Sequence, residues 1–177
     1  MENRTLHGKY AILTILLLGV ALAVYSQRFH AQLQRRPLEL WGKTNAQLMV
    51  NAPLVNALRL GPVDAKGAEF PVERLMVGGE HFSVLKEKDV ATKPGFSHVR
   101  QSLVNEASFD WSAKDEACRP EWKYALEFSD GDYTALLLIA PNCGTVRLAE
   151  TGATASMQPV MKGIVGFMQE QFPEKKK

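Results

Sequence analysis

The sequence predicts an α+β fold, in which an antiparallel sheet of about five or six strands carries two to three packed helices. Three observations support this prediction. Large apolar residues alternate with polar or small ones in residues 122–128, as expected for a strand. A second apolar run follows at residues 133–140, after Asp130 and Gly131, a pair that favours two-residue hairpin turns. Apolar residues in two further segments, residues 96–107 and residues 158–172, recur with the period of a helix.

The first half of the folded part is predicted to begin with a helix within residues 28–52. Gly42 weakens this helix, and Pro53 marks its end. A strand follows in residues 56–63, where apolar residues alternate. Two short strands are then expected within residues 72–90, around a glycine pair that indicates a turn.

The two periodic segments are residues 96–107 and residues 158–172, each with an apolar stripe typical of a helix that covers a sheet. Ser97 is a suitable N-cap for the first helix. Pro159 suits the first turn of the second helix. These helices and the central hairpin define the expected α+β architecture.

An uninterrupted apolar run occupies residues 11–25, and its extension to residues 10–27 reaches the low end of the length of a membrane span. We expect a retained single-pass signal anchor, because the arginines in residues 28–36 can hold a helix end at the lipid headgroups. A signal peptide cleaved near residues 21–26 remains an alternative. A buried core helix is less favoured, because no polar face interrupts the run.

These segments give an expected domain organisation, which we list in chain order. It comprises an N-terminal tail (1–9), a transmembrane signal anchor (10–27), a membrane-proximal helix (28–52), an α+β extracytoplasmic domain (53–173) and a basic tail (174–177).

Positive charge is concentrated at the N-terminus. Residues 1–36 carry five Lys or Arg against one acid, a balance of +4. The remaining residues carry 16 Lys or Arg against 18 acids, a balance of −2. Because nucleic-acid binding needs a basic face that replaces phosphate counterions, we expect no nucleic-acid partner.

Both cysteines of the chain flank the predicted hairpin. If Asp130 and Gly131 are the two loop residues, the pairing of the strands places Cys118 directly opposite Cys143, at a position where Cα atoms approach to about 4.5 Å. This distance permits a disulfide. Two free, buried cysteines are the alternative. We expect the Cys118–Cys143 disulfide.

Compartment follows from this expectation. The positive charge that flanks the apolar run favours, by itself, a cytoplasmic domain. Disulfides persist outside the cytosol, and we give this argument more weight. The expected location is the cell inner membrane, with the folded domain on the extracytoplasmic, periplasmic side.

No pattern in the sequence indicates a catalytic, cofactor-binding or metal-binding site. The four histidines are scattered, and no phosphate-binding or nucleophile-elbow motif occurs. A pairing of Cys143 with His81 or His98 as a thiol nucleophile is the exception, and a disulfide would exclude it. We therefore expect no cofactor and no enzymatic activity.

A short acidic loop and two tryptophans are weaker candidates. Asp110, Asp115 and Glu116 are expected in a solvated loop rather than an acidic site. Trp111 and Trp122 flank this loop, and an exposed aromatic residue there would suit a protein contact. Core packing is the more common role of such residues.

Several stretches together resemble an uncharacterised family of small membrane-anchored bacterial proteins of the planctomycete type. These stretches are "LELWGKTNAQLMVNAPLVNALRL", "HVRQSLVNEASFDW", "WKYALEFSDG" and "MQPVMKGIVGFMQEQF". The resemblance implies a bacterial envelope protein but no activity, cofactor or site residue.

The sequence thus favours a non-catalytic, membrane-anchored envelope protein that binds a protein partner or supports an assembly. A sensory or carrier domain that binds a small ligand is the alternative. An envelope enzyme is the least favoured class.

Overall fold

A computed structural model describes residues 13–26, 35–62, 74–77, 79–113 and 118–173 of the chain. The chain divides into two compact units, Met1–Arg35 and Arg36–Lys177.

The first unit contains one described helix, α1, which spans residues 13–26. Its leucines, valines and other large apolar residues are exposed all along its length. No helix among the described residues has both the length and the apolar character that a membrane crossing requires. The expected span of residues 10–27 extends past α1, and residues 10–12 and 27 lie outside the described part. The expected tails, residues 1–9 and 174–177, lie outside it as well.

The second unit has an α+β fold, as predicted. Its sheet has seven antiparallel strands, rather than five or six, in the order β2-β3-β1-β4-β5-β6-β7. The helices are α2 (Arg35–Trp41), α3 (Lys43–Asn51), α4 (Phe96–Val104), a 3₁₀ turn (Glu106–Ser108) and α5 (Gln158–Gln171). The strands are β1 (Leu54–Gly61), β2 (Arg74–Val77), β3 (Glu80–Asp89), β4 (Tyr124–Ser129), β5 (Thr134–Ala140), β6 (Thr145–Leu148) and β7 (Thr154–Ser156).

The main core lies between one face of the sheet and the helices. Trp41 of α2, Met49 of α3, Leu103 of α4 and Met168 of α5 are almost completely buried there. They pack against alternate residues of the central strands, including Leu137 of β5. Burial of this apolar surface is the principal source of stability.

A smaller apolar cluster occupies the other face of the curled sheet. Leu58 of β1 and Leu138 of β5 are buried in it, and Trp122 packs at its margin. The two faces of β5 are therefore both apolar, which explains why residues 134–140 lack the alternation found in β4.

Residues 28–34 of the predicted helix in residues 28–52 lie outside the described part, and the described residues form two helices and not one. Gly42 separates α2 from α3 and adopts a φ of +77°, which other residues rarely adopt. Arg100 of α4 then closes the end of α3, where it donates hydrogen bonds to the carbonyl oxygens of Val50 and Ala52 at 2.8 and 2.6 Å.

The predicted N-cap of α4 is also wrong. Gly95, with a φ of +84°, occupies the N-cap position, and no side chain caps this helix. Ser97 lies inside the first turn and is exposed. A glycine at this position turns the chain sharply into the helix, and the serine hydroxyl is not needed for the turn.

The hairpin of β4 and β5 is present, but its predicted register is wrong by two residues. Ser129 pairs with Thr134, so four residues and not two form the loop. The carboxylate of Asp130 accepts hydrogen bonds from the N–H groups of Asp132 and Tyr133 at 3.1 and 2.9 Å. These bonds stabilise the wider turn.

Candidate functional site

The predicted disulfide is present and joins Cys118 to Cys143, with the two Cα atoms 5.8 Å apart. It does not belong to the β4–β5 ladder, however. β4 begins at Tyr124 and β5 ends at Ala140, so both cysteines lie in the connections beyond the strands. The pairing was predicted correctly from a register that the hairpin does not have.

Asn142 explains how the two connections meet outside the ladder. Its Nδ2 donates to the carbonyl oxygen of Arg119 at 2.9 Å, and its Oδ1 accepts from the N–H of Glu121 at 2.9 Å. The side chain therefore pairs with the backbone on both sides of Pro120, as a neighbouring strand would. No pattern in the sequence indicated a role for this residue.

A cavity of about 580 Å³ lies beside the disulfide. Both cysteines line it, together with residues from the 109–113 loop, the β5–β6 turn, β7 and the start of α5. The remaining lining residues are Phe109, Asp110, Trp111, Ala113, Pro120, Asn142, Thr145, Thr154, Ala155, Ser156 and Gln158. We refer to it as the disulfide cavity.

Several polar side chains of the disulfide cavity are held by the backbone. The Thr145 hydroxyl and the Gln158 amide both donate to the carbonyl oxygen of Cys143, at 3.3 and 3.0 Å. The hydroxyl of Thr154 donates to the carbonyl oxygen of Gly152 at 3.1 Å. These bonds fix the shape of the wall.

Gly144 makes the arrangement of the wall possible. Its φ is +62°, and a Cβ atom there would overlap the side-chain amide of Gln158. A glycine therefore leaves the space in which Gln158 reaches the carbonyl oxygen of Cys143.

Asp110 contributes a negative charge to the cavity wall. Its Oδ1 accepts hydrogen bonds from the hydroxyl and the N–H of Ser112, at 2.7 and 3.0 Å. These bonds, that from the hydroxyl first, lower the pKa of the Asp110 carboxyl below its ordinary value. The carboxylate is therefore ionised at neutral pH.

Trp111 stands at the rim of the cavity with 38% of its surface exposed. Its ring stacks on Phe109 with centroids 4.9 Å apart, and the Arg36 guanidinium lies 5.7 Å from its centroid. Its indole N–H donates to the carbonyl oxygen of Glu106 at 3.1 Å, and the Glu106 carboxylate pairs with Arg36 at 3.5 Å. The ring is thus held in place although it is exposed.

A second depression, of about 460 Å³, lies between α4 and α5. Val99, Ile164 and Phe167 form its apolar floor, and His98 and Glu170 lie at its margin. Gly163 lines it, and a Cβ atom at this glycine would meet no other atom within 4 Å. Gly163 therefore does not mark a close approach of α5 to another element.

The other candidate residues do not form a catalytic site. His81 and His98 are exposed, and the Cys143 sulfur is bonded to Cys118, which excludes a thiol nucleophile. No group of His, Cys, Asp or Glu within the described ranges could hold a metal ion. Asp115 and Glu116 lie outside the described residues.

Comparison with known proteins returned no relative. No protein-family model, no curated protein and no solved structure matches the chain.

Proposed function

We propose that the protein is a non-catalytic, membrane-anchored envelope protein that binds a protein partner or supports an assembly. Its place would be the inner membrane, as a single-pass protein with the second unit on the periplasmic side. The proposal concerns binding, and the disulfide cavity is its proposed location.

Two features support the envelope location. The Cys118–Cys143 disulfide is typical of proteins that fold outside the reducing cytosol. The helix α1 exposes large apolar residues along its length, and such a surface is stable in an apolar environment. Together they favour attachment to a membrane, with the second unit outside the cytosol.

One observation carries the choice of binding over catalysis. The disulfide cavity is walled by side chains that the backbone and each other already hold, as in Gln158, Thr145 and Asp110. A nucleophile needs a neighbouring base within hydrogen-bond reach, and the sulfurs that could serve are bonded to each other. A rigid wall with an exposed aromatic residue, Trp111, suits the recognition of a partner instead.

Photo-crosslinking in intact cells tests this proposal. A benzophenone amino acid at position 111 places the reactive group at the cavity rim, where a tryptophan already stands. The same amino acid at Tyr133, which is 64% exposed, is the matched control. Tyr133 precedes β5 and the cavity follows it, so strand length separates the two positions by roughly 20 Å.

We expect one defined crosslinked product from position 111 and none of the same mass from position 133. Identical products from both positions would indicate non-specific proximity, and absence of a product from position 111 would count against partner binding through this cavity.

A sensory or carrier domain that binds a small ligand is the second candidate. The cavity volume of about 580 Å³ favours it, because ligand pockets commonly measure roughly 300–1,000 Å³. A metabolite screen by thermal shift tests this candidate. A ligand that raises the melting temperature of the wild type but not of the Gln158→Leu variant would support it over the leading proposal.

A further inference from the structure

The outer edge of β7 is open towards the disulfide cavity. β7 is the last strand of the sheet, and Thr154, Ala155 and Ser156 all line the cavity. An edge strand presents N–H and C=O groups that a further strand can pair with. Only the groups of β7 that point away from β6 are available for this pairing.

The hydrogen bonds that flank the β6–β7 ladder identify the backbone groups of β7 that point away from β6. Leu148 donates to the carbonyl oxygen of Ala153 at 2.8 Å, and Met157 donates to that of Gly144 at 2.8 Å. Since bonded and non-bonded pairs alternate along an antiparallel ladder, Arg147 and Thr154 form a non-bonded pair. The N–H and C=O of Thr154 therefore point away from β6, and neither has a hydrogen-bond partner among the described residues.

The next carbonyl group of β7 that points away from β6 is that of Ser156, and it already has a backbone partner. The N–H of Asp110 donates to the carbonyl oxygen of Ser156 at 2.9 Å. The 109–113 loop thus pairs with the edge at Ser156, and within the described part of the chain the outward groups of Thr154 are left for a further segment.

The charge of the cavity wall indicates which charge a bound segment would carry. Among the described residues that line the disulfide cavity, Asp110 alone carries a formal charge. Its Oδ1 is engaged by Ser112, and its Oδ2 accepts no hydrogen bond from the described residues. A cationic side chain next to the added strand would find an acceptor there.

We propose that the disulfide cavity binds an extended peptide segment of a protein partner, which pairs its backbone with Thr154 and places a Lys or Arg side chain at Asp110. This inference rests on the proposed function, since it names the class of partner that the cavity takes. The N–H and C=O of Thr154 would each form one hydrogen bond with the segment, beside Ser156, which the 109–113 loop already occupies. This mode is strand addition to a sheet edge.

The probes are three acetylated and amidated pentapeptides. The first has the sequence Thr-Val-Lys-Val-Thr, and the second has Glu in place of Lys. The third has the lysine sequence with a methyl group on the backbone nitrogen of the lysine. Full-length protein labelled with ¹⁵N, in detergent micelles, is titrated with each peptide. The amide resonances of Thr154 and of its neighbour Ala155 report on binding, and Ala155 alone is followed in a variant that lacks an N–H at position 154.

We expect a saturable shift of the Thr154 amide with the lysine peptide and weaker binding of the glutamate peptide. The N-methyl peptide lacks the N–H group that would donate a hydrogen bond to the carbonyl oxygen of Thr154. Its affinity should therefore fall by roughly three- to tenfold. Asp110→Asn should weaken the lysine peptide by roughly two- to fivefold and leave the glutamate peptide unweakened.

Two variants of Thr154 isolate the backbone bond. Thr154→Pro removes the outward N–H without breaking a ladder bond, and Thr154→Val removes the same hydroxyl but keeps the N–H. The difference in affinity between these two variants measures the backbone bond, and we expect roughly three- to tenfold weaker binding for the proline variant.

Equal binding of the lysine and glutamate peptides would overturn the role of Asp110, and equal affinity of the two Thr154 variants would overturn strand addition. If none of the peptides binds while position 111 still crosslinks to a defined protein, the peptide inference fails and the proposed function stands. If the peptides bind but no crosslink forms in cells, the proposed function fails instead.

Discussion

The indole nitrogen of Trp41 donates a 2.8 Å hydrogen bond to the carbonyl oxygen of Leu103, a residue 62 positions away in the sequence. The bond joins α2 to the C-terminal end of α4, where carbonyl groups lack partners within the helix. Trp41 is 1% exposed, and its ring packs against Phe109 with centroids 6.0 Å apart. One side chain therefore connects the first helix of the second unit to the loop that leads to the disulfide cavity.

Replacement of Trp41 with phenylalanine should destabilise the fold by roughly 2 kcal/mol, since it leaves the Leu103 carbonyl unpaired and removes ring volume from the core. Urea unfolding measures the change. Trp111→Phe is the matched control, because it removes the same atoms from a ring that is 38% exposed. We expect that control to cost less than about 1 kcal/mol. Equal losses from the two substitutions would contradict the role assigned to Trp41.

The Cys118→Ser/Cys143→Ser double variant should lower the free energy of unfolding by about 3 kcal/mol, because the bond closes a loop with a sequence separation of 25 residues. Urea unfolding in the absence of reductant measures this loss. The wild type in the presence of reductant should unfold at the same urea concentration as the double variant. A double variant as stable as the oxidised wild type would show that the bond adds no stability.

A methyl group at Gly144 should displace the Gln158 amide from the carbonyl oxygen of Cys143. The cost should be roughly 1–3 kcal/mol, from backbone strain at a φ of +62° together with the overlap. A double-mutant cycle separates the two terms, because Gln158→Ala removes the overlapping amide. We expect Gly144→Ala to cost less in the Gln158→Ala background. An unchanged cost would assign the whole effect to the backbone.

Asp110 should make a pH-dependent contribution to stability. Its pKa is lower in the folded protein than in the unfolded chain, so this contribution is complete above the unfolded pKa and is lost as the pH falls through the folded pKa. The difference in unfolding free energy between the wild type and Asp110→Asn should therefore be constant from about pH 5 to pH 8, and should shrink below about pH 4. A difference that grows on acidification would contradict the sign of the shift.

Alternation and helical period predicted most of the architecture. β4, β5, α4 and α5 all lie where the apolar pattern indicates them. β6 and β7 were not predicted, because strands of four and three residues are too short to display a period. β6 pairs with β5, and β7 pairs with β6 at the edge of the sheet. Their position depends on this pairing more than on their own short sequences.

The register of the hairpin shows a different kind of limit. A slip of two residues leaves each side chain on the same face of the sheet, so Tyr124, Leu126 and Phe128 are buried in either register. The apolar pattern cannot distinguish the two registers. The choice depends on the Asp130 carboxylate, whose bonds to Asp132 and Tyr133 favour the wider loop.

The cavity was beyond sequence reasoning because its walls come from distant segments. Trp111, Asn142 and Gln158 are brought together by the disulfide, the β5–β6 turn and the start of α5. Each is an ordinary polar or aromatic residue in its own segment. In the sequence, this region was marked by the paired cysteines and, less specifically, by Asp110 and Trp111.

The position of the disulfide also has a mechanical consequence. A force that pulls the two ends of the chain apart passes through the Cys118–Cys143 bond, so the residues between them cannot extend. With 25 residues of separation and Cα atoms 5.8 Å apart, the oxidised chain should be shorter at full extension than the reduced one by about 80–85 Å. The hairpin of β4 and β5 lies within this shielded loop, so tension between the two ends of the chain would not unravel that hairpin along its length.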